Sequence, residues 1–182
     1  MLKRRRDLSG IGAKKMTFIL ATDRRDADVI GAFKRYRDYL APLRDAFPRS
    51  AYALATSDWY FNFGDHRCPH DGWLESFCLT EPSSGSQREI RTLSMQIRLL
   101  GAYHDGYIEL LYPQVFAYRL DIADSQYGHR DWRYDELRLS NDGHVIHEIE
   151  WCGANATGSW LIEASDVEFK WTPSRGGIIG LT

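Results

Sequence analysis

The spacing of apolar positions changes character near residue 73. Upstream, Val29, Phe33, Tyr36, Leu40, Leu43 and Phe47 recur at steps of three and four, the single stripe of an amphipathic helix. Asp26 or Asp28 supplies a carboxylate for an unpaired backbone N–H at its start. Pro42 stands inside the stripe. Without an N–H, and crowding the preceding turn, it predicts a kink or the beginning of a second short helix. Pro48 ends the run. The aromatic-rich stretch "SAYALATSDWYFNFGDHRCPHDGW" keeps neither period for long. It predicts a short helical turn and then a packed connection, with Trp59, Tyr60, Phe61 and Phe63 covering a sheet edge or end.

From Trp73 the period is two. "RTLSMQIRL" places Leu93, Met95, Ile97 and Leu99 on one face and Ser94, Gln96 and Arg98 on the other, a half-buried strand. "YIELLY" and "VFAYRLDI" follow, the second with Phe116, Tyr118, Leu120 and Ile122 on a common face. "DELRLSNDGHVIHEIEW" reads as a hairpin, because Asn141-Asp142-Gly143 tolerates positive φ between two alternating runs. "SWLIEA" and "DVEFKW" complete the set, with a break at Ser165-Asp166. No helical pattern separates these strands, so parallel crossovers are excluded and antiparallel pairing is expected. The expected fold is α+β: one domain over residues 27–173, with the N-terminal helix packed on a mostly antiparallel sheet or small sandwich of about seven strands. Residues 1–26 read as a basic, poorly ordered extension, and 174–182 as a flexible tail.

Composition alters this picture little. The 182 residues, 43% of them apolar, suffice for one domain with its own core. No apolar run is long enough to span a bilayer, and the basic opening lacks the apolar stretch of a secretory signal, so the chain reads as cytoplasmic. Met16 offers an alternative start of translation, which weakens any reading of the N-terminal arginines as a nucleic-acid arm. Cys68, Cys78 and Cys152 are odd in number and irregular in spacing, which argues against a disulfide framework; Cys78 is expected as a small core residue. Charge is uneven. Residues 1–49 carry 13 Lys/Arg and 6 Asp/Glu, and residues 50–182 carry 10 and 19. An acidic body repels phosphate backbones and attracts basic partners.

Four places bear candidate chemistry. In "DHRCPHD", His66, Cys68 and His70 alternate between Asp65 and Asp71, and His104 or Asp105 would complete a zinc set; the spacing matches no standard zinc signature. The ordinary alternative is aspartates in turns and histidines packed on aromatics. The element His-Asp-Gly occurs at 70–72 and again at 104–106. Adjacent strand residues point to opposite faces, so the pair reads as a turn that begins a strand, not as an acid–base couple. His147 shares a strand face with Val145, Ile149 and Trp151, where it would need a Tyr or Asp partner from a neighbouring strand. Finally, "YGHRDWRYDE" gathers Tyr127, His129, Arg130, Asp131, Trp132, Arg133, Tyr134, Asp135 and Glu136, rich in the residue types of interface hot spots. These residues, Arg130 apart, are the partner-binding candidates. No phosphate loop, nucleophile elbow or zinc-protease helix is present, and the reading assigns no cofactor and no catalytic residue.

With "HDGWLES" (70–76), "LLGAYHDGYIEL" (99–110), "GHRDWRYDE" (128–136), "HEIEW" (147–151) and "WLIEASDVEFKW" (160–171), the chain resembles small uncharacterised bacterial proteins, over about residues 59–172. Some of these are similar to immunity proteins of polymorphic toxin systems, which bind and block a cognate toxin. The resemblance implies a protein-binding, non-catalytic domain, with a basic toxin as the partner that the acidic body would attract. A metal-dependent hydrolase using His66, Cys68, His70 and His104 is the alternative. A purely oligomeric role is a third.

Overall fold

The computed structural model describes residues 16–122, 126–153 and 156–174; residues 1–15 of the expected extension and 175–182 of the expected tail lie outside the described residues. Among the described residues three helices come first: α1 (Thr22–Ala27), α2 (Val29–Leu40) and α3 (Arg49–Ala55), with a 3-10 turn Ala41–Leu43 after α2. Ten strands follow: β1 (Trp73–Thr80), β2 (Ser83–Ser84), β3 (Ile90–Arg91), β4 (Ser94–Leu100), β5 (Gly106–Tyr112), β6 (Val115–Leu120), β7 (Asp131–Leu139), β8 (Val145–Cys152), β9 (Thr157–Ala164) and β10 (Glu168–Pro173). Every pairing is antiparallel. Eight strands form one sheet in the order β10-β5-β4-β1-β7-β8-β9-β6, and β2 with β3 forms a separate ribbon. The fold is α+β with a large antiparallel sheet, somewhat larger than the pattern suggested.

The helical stripe closes the sheet in an unexpected way. Asp28 provides the cap, its Oδ1 accepting from Gly31 N at 2.9 Å. Ala32, Tyr36 and Leu40 are buried. Pro42 opens the 3-10 turn, where the missing N–H leaves no bond unmade. β1 and β7 touch at one residue pair, Trp73↔Asp131, so the sheet is two four-stranded halves joined at a corner. Past that corner the edge of β7 is open, and α2 satisfies it. The Tyr36 hydroxyl donates to Leu137 O (2.9 Å) and accepts from Leu137 N (2.8 Å), and the Tyr39 hydroxyl accepts from Leu139 N (2.9 Å). Two tyrosines thus stand in for a strand's backbone. α3 is capped from afar: Pro48 has no capping side chain, and Asp166 accepts from Ser50 N (3.2 Å) and Ala51 N (2.8 Å).

The two halves meet face to face. Met95, Ile97, Leu99, Ile108 and Leu110 of β4 and β5 share a core with Trp132, Leu137, Ile149, Trp151, Trp160 and Ile162. Phe77 of β1 packs edge-on to Trp160 of β9 with ring centroids 5.5 Å apart. The hairpin joining β7 to β8 turns at Gly143, with φ 79°.

Three expectations need correction. The described part of the N-terminal stretch is packed, because its own backbone has a partner. Ile19 is fully buried, and the Glu136 carboxylate accepts from Phe18 N (2.9 Å), Ile19 N (2.9 Å) and Leu20 N (3.4 Å). Cys78 is exposed, since Leu74, Phe77 and Leu79 take the inner side of β1; Cys68 is the buried cysteine. In β6, Tyr118 and Leu120 lie opposite the core residues Ile162 and Trp160, yet Tyr118 is 47% exposed. Tyr118 and Leu120 share the side that was read, but the register shifts between Val115 and Ala117 and Phe116 stacks on His144 on the other side. β6 is also the last strand, and the core does not extend beneath it.

Candidate functional site

The antiparallel order brings the sequence's polar–aromatic connections to one end of the sheet. β1, β5, β7 and β9 begin there, and β4, β8 and β10 end there. The segments 57–72, 101–105 and 126–130 form its rim. Among the described residues four non-glycine positions have left-handed backbone, and three of them lie on this rim: Asp71 (φ 60°), His104 (φ 57°) and Arg130 (φ 62°). Such a conformation costs an L-residue about 1–2 kcal/mol, and concentrations of it mark places where geometry matters more than stability.

Both His-Asp-Gly elements do begin strands, but their glycines are needed for close approach and not for positive φ. A Cβ on Gly106 would stand 2.3 Å from the Trp171 ring, and one on Gly72 would stand 2.9 Å from Pro69 O. The left-handed residues are Asp71 and His104 themselves. Asp71 N donates to Trp132 O at 2.8 Å and His104 N to Gly101 O at 2.8 Å, which hold the strained turns.

Trp73 stands at the corner where the halves join. It is 48% exposed, donates from Nε1 to Asp131 Oδ1 (2.8 Å), and packs edge-on to the His104 ring at 4.6 Å. On one side of it lies a cleft of about 430 Å³ lined by Tyr127, Gly128, His129, Arg130 and Asp131. On the other side a shallower depression is lined by Glu75, Ser76 and Arg98. The Arg130 guanidinium lies 5.2 Å from the centre of the Tyr127 ring. His129 packs on Trp151 (5.0 Å) and Trp160 (4.8 Å), and burial lowers its pKa. Its Nδ1 and both indole N–H groups have no hydrogen-bond partner among the described residues.

The four candidate metal ligands share the rim but not a centre. His66 Nδ1 meets Asp105 Oδ2 at 2.5 Å, and its ring stacks on Tyr103. His70 Nδ1 meets Arg133 O at 2.5 Å, and its ring stacks on Phe63 at 3.9 Å. His104 lies against Trp73. Cys68 is buried with its thiol donating to Tyr60 O; burial, the largest cause, pushes its pKa up to about 12, where it is a poor ligand and nucleophile. Among the described residues no group of three or more His, Cys, Asp or Glu is arranged to hold a metal ion. Asp65 is held at about 2 by the Arg67 side chain and backbone.

The partner-binding candidates separate into two sets. Tyr127 and Arg133 are exposed, and His129, Asp131 and Tyr134 are partly so. Trp132, Asp135 and Glu136 are buried, at 0%, 3% and 0%, and cannot touch a partner. Asp135 is instead the hub of a closed network. It accepts from the Tyr60 hydroxyl, from Trp132 Nε1 (3.0 Å) and from His147 Nε2 (3.0 Å), and Tyr112 OH meets His147 Nδ1 at 2.7 Å. Nε2–H of His147 donates to Asp135, and Nδ1 is the ring atom that meets the Tyr112 hydroxyl. His147 is fully buried, so the tyrosine–histidine–aspartate chain has no face for a substrate. Asp135, on the neighbouring β7, is a partner of the kind expected, whereas Tyr112 comes from β5 in the other half of the sheet.

Burial also changes what the charge asymmetry means. Asp135, Glu136 and Glu148 are internal, and Glu150 pairs with the buried Arg25 at 3.2 Å. Arg138 contacts both Glu136 and Glu148. Part of the acidic excess of residues 50–182 is thus interior charge, not an acidic surface. On the rim, Arg130 and Arg133 have no ion pair among the described residues, while Asp65 and Asp105 already engage Arg67 and His66.

Trp73 and His104 were missed as surface elements. The first looked like a strand residue and the second like part of a turn, and only the corner between halves exposes them together. No protein-family model, curated protein or solved structure matches the chain. No helix among the described residues is long and apolar enough to cross a membrane.

Proposed function

We propose that this chain is a non-catalytic protein-binding domain, of the kind an immunity-type inhibitor represents, and that it takes its partner on the rim around Trp73. The observation that carries the reading is the gathering of Trp73, His104, Tyr127, Arg130 and Arg133 at one end of the sheet, on a backbone strained at three non-glycine positions. Tyr, Trp and Arg supply large contact areas with polar handles, the composition of interface hot spots. The strained turns present them pre-organised, which lowers the ordering cost of association. The two unpaired arginines fit a partner face that carries carboxylates or aromatic rings. The acidic balance of the body, which suggested a basic partner, counts for less because several of those carboxylates are internal.

Affinity capture from the native host tests this with two baits, the wild-type chain and the Trp73→Ala/Arg130→Ala chain. One protein should be retained stoichiometrically by the wild type and lost by the double variant. For an immunity-type inhibitor, co-expression should also relieve that protein's toxicity. Retention of the same protein by both baits, or of none by the wild type, refutes the reading.

A further inference from the structure

The outer edge of β6, the last strand in the sheet order, carries its own information. Among the described residues β6 pairs with β9 alone and ends the sheet order, leaving a row of backbone groups open. Asp121 N donates to Ser159 O, so the odd-numbered residues direct their backbone toward β9. In an antiparallel ladder the direction alternates, and the N–H and C=O groups of Tyr118, Leu120 and Ile122 therefore face outward. Edge strands usually carry proline, lysine or a covering element that discourages pairing. The other edge has such protection: β10 contains Lys170, ends at Pro173, and packs near α3. "VFAYRL" has neither residue, and Phe116, Tyr118 and Ile122 are 44%, 47% and 53% exposed.

The sequence Tyr118-Arg119-Leu120-Asp121-Ile122 is self-complementary about Leu120 when read against itself antiparallel. In that register Leu120 faces Leu120 of a second copy, Tyr118 faces Ile122, and Arg119 faces Asp121, each of the last two pairs occurring twice. The same register uses only the outward-facing backbone groups, because the hydrogen-bonded pairs fall on residues 118, 120 and 122. Side-chain pattern and backbone direction are independent requirements, and one alignment meets both. Apolar and opposite-charge pairs directly across two strands are the units that stabilise a sheet.

We propose that β6 docks against β6 of a second copy of this chain, antiparallel and centred on Leu120, to form one continuous sheet across a twofold axis. The test is sedimentation equilibrium of the full chain and three variants, with far-UV circular dichroism to confirm folding. The wild type should be a dimer at micromolar concentration. Tyr118→Pro removes an outward N–H without touching the bonds to β9, which an edge strand accommodates, and should give monomer. Arg119→Asp sets carboxylate against carboxylate twice and should weaken dimerisation at least about tenfold. Arg119→Asp/Asp121→Arg restores the pairing and should recover the dimer. A wild type that stays monomeric, or a dimer indifferent to Tyr118→Pro and to the charge pair, overturns the proposal. Should Tyr118→Pro not fold, the loss and recovery across the two charge variants decide it alone.

Discussion

Replacing Asp135 with alanine puts the closed network to its most direct test. The carboxylate accepts from three donors, the Tyr60 hydroxyl, Trp132 Nε1 and His147 Nε2, all on buried residues. A buried donor left without an acceptor costs about 1–3 kcal/mol. Three such donors, offset by no longer desolvating the carboxylate itself, give an expected loss of about 3–6 kcal/mol. Against a total stability of about 5–15 kcal/mol for a domain, that is a large fraction. Asp135→Asn separates the contributions. Its carbonyl can occupy the position shared by Tyr60 and His147, but its amide then meets the Trp132 N–H donor to donor. One pairing is lost instead of three, for an expected about 1–3 kcal/mol. Urea titration followed by tryptophan fluorescence measures both, with unchanged slopes confirming that the midpoint shift is a stability change. If Asp135→Ala lost no more than Asp135→Asn, the three contacts would not be the energetic unit described here.

Further outcomes follow from single contacts. Burial outweighs the backbone hydrogen bonds at Glu136 and raises its pKa, so the folded state holds that proton longer than the unfolded chain. Its contribution is full below the ordinary carboxylate range and falls as pH rises through the folded value; the thermal stability of the wild type should therefore lose ground to Glu136→Gln as pH is raised from the ordinary carboxylate range. Gly106→Ala forces a Cβ to within 2.3 Å of Trp171 and should cost about 1–3 kcal/mol in chemical denaturation. Asp166→Ala removes the distant cap of α3 and should cost about 1 kcal/mol by the same assay. Maleimide labelling in native buffer, mapped by mass spectrometry, should modify Cys78 and spare Cys68 until denaturant is added.

The regular strands were legible because each has one wet and one dry face. β4 alternates as read, with Met95, Ile97 and Leu99 buried. The hairpin between β7 and β8 was legible for a local reason, a glycine at the turn. β7 itself was not. It is buried on both sides, by the facing half-sheet around Asp135 and by residues 18–20 over Glu136, so alternation carries no signal there. A carboxylate pair in that position looks like a solvated loop, because its partners lie up to 118 positions away in sequence. The order of the last strands was equally hidden. β9 and β10 are nearly contiguous in the chain, yet they pair with β8 and β5 in opposite halves. The rim was half legible. Its loops stood out by composition, but Trp73 became a surface residue only through a sheet that splits beside it.

That split connects the interior to the rim. The halves join at Trp73↔Asp131, and one residue further along, Trp132 N donates to Gly72 O while its ring reaches Asp135. Tyr60 anchors the segment 57–72 to the same carboxylate, and Cys68 is tied back to Tyr60. The strained turn at Asp71 is therefore clamped between two elements that share one buried acceptor. Loosening Asp135 should relax that turn before the sheet melts. An Asp135→Asn protein that remains folded should show faster amide exchange at Asp71 and Gly72 than along β4, together with weaker partner capture. Uniform acceleration across both would mean that the interior supports the fold alone and leaves the rim to hold its own shape.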